Sequence, residues 1–366
     1  MTSLREKVGN MLIFGFHGKD FSSDAAKIFL EQVQELKIGG TILFDYNIVS
    51  PVQLKRLTDS LKNARHDIVI AVDQEGGEVQ RLNAKNGFTD TASANFIASE
   101  FNLEQAFMIY KEMAKMLKDH GINMNLAPVV DVDFAKSCPV IGGMNRSFSA
   151  NALMVSEYAD IFVKAHAEHK ILTTLKHFPG HGFAKLDSHK GIVDVTNSSN
   201  HEIELRPYKI LLAKNQYYHH TTVMPAHIIN KNIDSTALPA TFSKAVINNL
   251  LRDKLAFDGV VITDALEMSA IKKHYLLEEA VIKAINAGND LLLFSNNKAA
   301  CLHNTELDDW SKEPGHIVEI IMKAVEEGYV SEKRIERSLK RIEKLKKFIM
   351  DNDCIATNSS KYRELI

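Results

Sequence analysis

Short apolar runs alternate along the chain with longer amphipathic ones. The apolar runs are Met11–Phe16, Gly40–Phe44, Ile68–Asp73, Ile122–Val130, Ile171–His177, Thr221–Pro225, Gly259–Asp264 and Asp290–Phe294. Each is short, rich in β-branched residues and bounded by turn formers, which predicts a strand buried on both faces. Between and after them, apolar positions recur at helical spacing. Helices are predicted over Ser23–Leu36, Pro51–Ala64, Leu103–His120, Asn151–His169, Glu202–Lys214, Ser243–Lys254, Leu276–Ala287 and Gly315–Glu327. A final charged helix over Ser331–Phe348 carries an apolar stripe at Ile335, Leu339, Ile342 and Leu345.

Eight strand-then-helix units in a row predict an α/β protein built as a single (β/α)8 TIM-type barrel. A doubly wound open sheet needs the same elements. It fits less well, because polar residues follow nearly every strand and do not gather at one switch point. No low-complexity linker separates two domains. The expected division is a catalytic barrel over 1–350 and a polar C-terminal tail over 351–366.

Composition narrows the class. The 366 residues are 45% hydrophobic and 25% charged, with a net charge of −2, so neither nucleic acid nor a membrane surface is favoured as partner. The three cysteines, Cys138, Cys301 and Cys354, lack metal-like spacing, and their odd number argues against a disulfide framework. Leu12–Phe16 is too short and glycine-broken for a signal peptide, and no run approaches membrane-spanning length. The expectation is a cytoplasmic monomer.

In a barrel, side chains just past the strand C-termini converge on one face. The richest such stretch follows Ile171–Leu175 and runs Lys176-His-Phe-Pro-Gly-His-Gly-Phe-Ala-Lys-Leu-Asp-Ser-His189. Pro179, Gly180 and Gly182 forbid a helix, and Lys176, His177, His181, Asp187 and His189 crowd around them. His177 and His181 stand four apart, as helical zinc ligands do. Pro179 and Gly180 between them prevent a shared helix face, so no metal is expected. Further candidates are Asp73 and Arg81 around the Gly76-Gly77 turn, Asp131 and Asp133, Arg146 in Gly142–Phe148, His227, and Asp264 after Val260–Thr263. The plainer alternatives are a helix cap for Asp73 or Asp264, surface ion pairs for Arg81 and Arg146, and backbone or arginine partners for Asp131 and Asp133. His227 is equally a pocket wall or a structural hydrogen-bonding group.

The string Lys-His-Phe-Pro-Gly-His-Gly followed by Asp-Ser-His resembles the signature of glycoside hydrolase family 3, most nearly its bacterial β-N-acetylglucosaminidase branch. Asp73-Gln-Glu-Gly-Gly77, Leu126-Ala-Pro-Val-Val-Asp131, Arg146-Ser-Phe148 and Thr263-Asp264 extend the likeness from about Gly40 to Asp290. The resemblance implies that Asp73, Arg81, Arg146, Lys176 and His177 line the sugar site. It also implies that Asp264 is the nucleophile and that His189, partnered by Asp187, is the general acid/base. No cofactor is implied. Ala265 stands where the family often has a second Asp, and Tyr46 where it often has Arg. Both bear on substrate preference and leave the reaction unchanged.

The chemistry suits these residues. Glycoside cleavage passes through an oxocarbenium-like transition state, which a carboxylate below the ring can trap covalently. A histidine titrating near ~6.5 can give and take a proton at neutral pH, and an adjacent Asp can fix its tautomer. The expected function is a retaining exo-β-N-acetylglucosaminidase that removes terminal GlcNAc from cell-wall muropeptides of the GlcNAc-anhydroMurNAc type. A β-glucosidase or β-xylosidase of the family typically draws its acid/base from a further C-terminal domain, for which 366 residues leave no room. A GlcNAc-glycoside phosphorylase is the subtler alternative, since a histidine does not repel phosphate. A sugar-binding scaffold is the reading from another class, and it would not require Asp264, Asp187 and His189 together.

Overall fold

The structure is a computed structural model that describes residues 2–134, 138–187, 191–214, 219–297 and 313–351. Its strands are β1 (Leu12–Gly15), β2 (Gly40–Ile42), β3 (Val69–Val72), β4 (Gln74–Gly76), β5 (Val79–Gln80), β6 (Met124–Asn125), β7 (Thr173–Phe178), β8 (Val193–Asp194), β9 (Thr221–Pro225), β10 (Ile228–Ile229) and β11 (Leu292–Phe294). Five of them form a parallel sheet in the order β11–β1–β2–β3–β6, and β7 pairs in parallel with β9. The register sets Ile13 beside Gly40, Thr41 beside Ile70, and Ala71 beside Met124. Single parallel bridges join Met124 to Leu172, Val223 to Val261, and Ile262 to Leu291. The fold is thus α/β with a parallel central sheet.

Every residue of β1, β2, β3, β7, β9 and β11 is buried, because helices cover the sheet. Side-chain caps define several helix starts. Ser50 accepts the Gln53 N–H at the head of Pro51–Ala64, where Pro51 occupies a position that needs no donor. Asn102 and Gln105 form a reciprocal capping box on Leu103–Asp119.

Three expected elements change. The helix expected over Glu202–Lys214 splits into His201–Glu204 and Arg206–Leu212, with Pro207 in the first turn of the second piece, where a missing N–H is tolerated. The strand expected over Ile122–Val130 is confined to Met124–Asn125, although Val129 still bridges Lys176. The strand expected over Gly259–Asp264 keeps only bridges at Val261 and Ile262. There the buried Asp290 carboxylate accepts the Val261 N–H at 3.1 Å and the Thr263 hydroxyl accepts the Leu293 N–H at 2.9 Å, so side chains replace ladder acceptors. The tail beyond residue 351 lies outside the described residues.

Candidate active site

The site starts where β3 ends. Asp73 and Glu75 are two residues apart in extended chain, so both side chains fall on one side, while Gln74 points to the other. Gln74 ties down the hairpin of β4 and β5. Its Oε1 accepts the N–H groups of Arg81 (2.9 Å) and Leu82 (3.0 Å), and its Nε2 donates to the Leu82 carbonyl at 2.9 Å. The turn uses Gly76 and Gly77 at φ +96° and +61°, values that other residues adopt at a cost. Buried Asn125 at the end of β6 accepts the Gln74 N–H and donates to the Gln74 carbonyl, fixing where the hairpin leaves the sheet.

Onto this frame the other strand ends bring cations. Lys176 on β7 places Nζ 2.6 Å from Glu75 Oε1 and 3.1 Å from Asp73 Oδ1. Arg81 reaches Asp73 Oδ2 at 3.1 Å. Arg146 grips Glu75 with two donors, Nε at 2.7 Å and Nη2 at 2.9 Å, while its Nη1 donates to the Val140 carbonyl at 2.8 Å. The Lys176 and Glu75 side chains are each only 4% exposed, so these are not the weak surface pairs that Arg81 and Arg146 could have made. Burial alone would raise the pKa values of Asp73 and Glu75. Lys176 and Arg81 outweigh it at Asp73, and Arg146 and Lys176 outweigh it at Glu75, so both carboxyls are held below their ordinary range. Burial likewise disfavours the charged Lys176, and Glu75 and Asp73 more than offset it, raising its pKa. The cluster is ionised throughout at neutral pH.

His177 is positioned by Asp131. The Asp131 carboxylate lies 2.7 Å from His177 Nδ1 and also accepts the backbone N–H groups of His177 (3.1 Å) and His181 (2.8 Å). Asp131 is therefore a backbone anchor that also orients a ring, and no arginine pairs with it among the described residues. With Nδ1 engaged by Asp131, His177 lines the cavity with its ring held in place. His181 has Cys138 Sγ 3.6 Å from its Nδ1, and burial lowers its pKa to about 4, which keeps it neutral.

Asp73, Glu75, Arg81, Arg146, Lys176, His177, His181 and Asp264 line one cavity of about 320 Å³, together with apolar Leu126, Met224 and Leu293. Half-buried Asp264 has Oδ1 2.8 Å from the Ala265 N–H. The carbonyl of Ala265 in turn faces His227 Nε2 at 3.0 Å, and His227 Nδ1 lies 2.8 Å from the Thr241 hydroxyl. His227 is thus a buried hydrogen-bonding group behind Asp264. Of the eight site residues expected from sequence, six line this cavity: Asp73, Arg81, Arg146, Lys176, His177 and Asp264. Asp187 is half-buried and is not among the lining residues, and His189 lies outside the described residues. Glu75 was not singled out. Its signal was the two-residue spacing from Asp73 at a strand end. Among the described residues, no group of three or more His, Cys, Asp or Glu side chains is placed to hold a metal ion.

Comparison with known proteins gives the family. Residues 3–345 match the model of the glycosyl hydrolase family 3 N-terminal domain. The chain is 31% identical to Beta-hexosaminidase A of Pseudoalteromonas piscicida over 336 residues, covering 86% of this chain and 54% of that protein. It is 36% identical to a beta-hexosaminidase of Shewanella frigidimarina over 296 residues, covering 78% of this chain and 83% of the relative. The chain thus spans about half the length of the first relative and most of the second. A solved family 3 beta-N-acetylglucosaminidase from Paenibacillus sp. FPU-7 superposes with a TM-score of 0.84 at 32% identity, over 98% of this chain and 65% of that one. With the strand-end cluster and the family match agreeing over nearly its whole length, the chain belongs to glycosyl hydrolase family 3.

Proposed function

We propose that the chain is a retaining exo-β-N-acetylglucosaminidase acting on terminal, non-reducing β-linked GlcNAc of cell-wall muropeptides. The observation that carries this reading is the shared cavity. Asp264 opens onto the same space of about 320 Å³ as the Asp73–Lys176–Glu75–Arg146 cluster. That volume lies at the small end of the roughly 300–1,000 Å³ typical of small-molecule sites. It suits one sugar ring, which is what an exo-acting enzyme needs.

In this reading Asp73, Lys176, Arg81, Arg146 and His177 hold the sugar hydroxyls through charge-assisted hydrogen bonds. The Asp264 carboxylate attacks the anomeric carbon and the bond to the departing oxygen breaks. His189, oriented by Asp187, gives that oxygen its proton. Water then attacks the glycosyl-enzyme, loses its proton to His189, and releases Asp264 as carboxylate. Anchored cations beside the sugar keep neighbouring carboxylates ionised and need no rearrangement as charge develops.

The same reading takes the central sheet as a closed (β/α)8 barrel spanning 1–350, with 351–366 as a tail. The parallel pairing of β11 with β1, and the bridges Met124–Leu172, Val223–Val261 and Ile262–Leu291, support it.

The test is direct. The purified protein should release nitrophenolate from the 4-nitrophenyl β-glycoside of GlcNAc, and GlcNAc with retained β configuration from a GlcNAc-anhydroMurNAc disaccharide. Turnover of the corresponding glucoside but not of either GlcNAc substrate would overturn the assignment. A rate that requires inorganic phosphate and yields a sugar phosphate would replace hydrolysis by phosphorolysis.

A further inference from the structure

The loop that leaves β7 rests on a carboxyl group that the chemistry above does not use. Glu204, at the end of His201–Glu204, is 3% exposed. Its side chain lies directly beneath Gly180, where an added Cβ would come within 2.5 Å of Glu204 Cβ and 2.8 Å of its Cδ. Gly180 has φ +141°, so this close seat is open only to glycine. The Phe183 and Asn200 backbone N–H groups also face the Glu204 carboxyl, and they favour its ionised form less than burial and Asp131 disfavour it. Glu204 Oε1 is buried with no hydrogen-bond partner among the described residues, and the same is true of the neighbouring Tyr208 hydroxyl.

The loop has two other fixings. Asp131 holds the His177 and His181 N–H groups, and Gly182 lies against the Val132 backbone. Together with Glu204 these hold the loop at His177 and from Gly180 to Phe183, the part that leads into Asp187.

We propose that Glu204 is a positioning residue that seats the Phe178–Asp187 loop on the end of β7, and that it does so as a neutral carboxyl. The inference rests on the glycosidase reading, which gives Asp187 its role.

The surroundings support the neutral form. The ionisable groups set around Glu204 are Asp131 from the segment after β6, Tyr208 from the following helix, and, across Asp131, His177 and His181 from the loop itself. Burial, then the Asp131 carboxylate, push the Glu204 pKa up to about 8. A protonated carboxyl can lie near Asp131 without repulsion. An ionised one would be a second buried anion under the loop, with one oxygen unpartnered.

The experiment compares wild type, Glu204→Gln and Glu204→Ala from pH 5 to 10, on the nitrophenyl GlcNAc glycoside and on a natural GlcNAc disaccharide. Glu204→Gln keeps shape and neutrality, so its kcat/KM at pH 7 should stay within about 3-fold of wild type. On the nitrophenyl substrate, whose first step needs no proton from His189, its alkaline limb should move up by about one pH unit or more, because the Glu204 ionisation is gone. Glu204→Ala should lose about 10-fold or more on the disaccharide, which needs the proton, and less on the nitrophenyl substrate. An unmoved alkaline limb in Glu204→Gln, or a Gln variant as damaged as the Ala variant, would overturn the proposal. If Glu204→Ala does not fold, the Gln limb decides alone.

A second readout does not depend on activity. Trypsin cleavage after the exposed Lys185 should accelerate between pH 7 and 9 in wild type relative to Glu204→Gln. An equal ratio at both pH values would reject the seating role. Wild type whose loop is cleaved by trypsin as expected but which turns over no GlcNAc glycoside would reject the glycosidase reading and leave the seating intact.

Discussion

Lys176 Nζ lies 2.6 Å from Glu75 Oε1, and both side chains are almost wholly buried. The same carboxylate takes two donors from Arg146. One acid therefore pairs with two cations on the wall of the cavity, sharing Lys176 with Asp73.

Glu75→Gln would keep the shape and leave Lys176 and Arg146 short of an anion. Breaking a buried pair on one side costs about 3–5 kcal/mol, and chemical denaturation should show a loss of that order. Both Glu75 and Asp73 have pKa values lowered in the fold. Their contribution is present above the ordinary carboxylate range near pH 4 and is lost as pH falls through the lowered folded values. Acid unfolding should consequently be less steep in Glu75→Gln. A variant as stable as wild type, with the same acid profile, would show that the pair does not support the cluster.

Asp264→Asn should lose about 10³-fold or more in rate, since one carboxylate supplies the covalent step. A slow 5-fluoro glycosyl substrate should leave its label on the peptide that contains Asp264. Label on Asp73 or Glu75, or near-normal turnover by the Asn variant, would move the nucleophile elsewhere.

His189→Ala should depend on the leaving group. A sugar alcohol needs a proton to depart and nitrophenolate does not, so the natural substrate should slow by about 10²–10⁴-fold while the first step with the nitrophenyl substrate is largely spared. The glycosyl-enzyme should then accumulate as a burst, and azide should speed its breakdown. Equal slowing of both substrates, with no burst, would make His189 a binding or structural group.

Glu204 should also shape stability against pH. Its folded pKa of about 8 lies above the ordinary carboxylate value. The folded state keeps a proton that the unfolded state gives up near pH 4, so stability is fully present below that value and falls as pH rises towards 8, at up to about 1.4 kcal/mol per pH unit. The melting-temperature advantage of Glu204→Gln should grow across that window and stay flat above it. An advantage that is the same at pH 5 and pH 8 would mean that Glu204 is ionised in the fold.

By itself the sequence determined the alternation of elements and named most of the residues that line the cavity. Pro51–Ala64 and Thr221–Pro225 coincide with their expected limits, because a capping serine, a leading proline and a run of β-branched residues are local instructions. Asp73, Arg81, Arg146, Lys176, His177 and Asp264 were legible because they stand in motifs at strand ends, and a parallel sheet gathers its strand ends on one face. Tertiary structure decided the rest. The Gly259–Asp264 run pairs through single bridges because Asp290, remote in sequence, takes the Val261 N–H. Glu75 and Asp131 became parts of the site through partners 71 and 46 residues away, Arg146 and His177. Whether a carboxylate caps a helix, faces water or pairs with two buried cations depends on what the fold sets beside it, and its neighbours along the chain do not encode that.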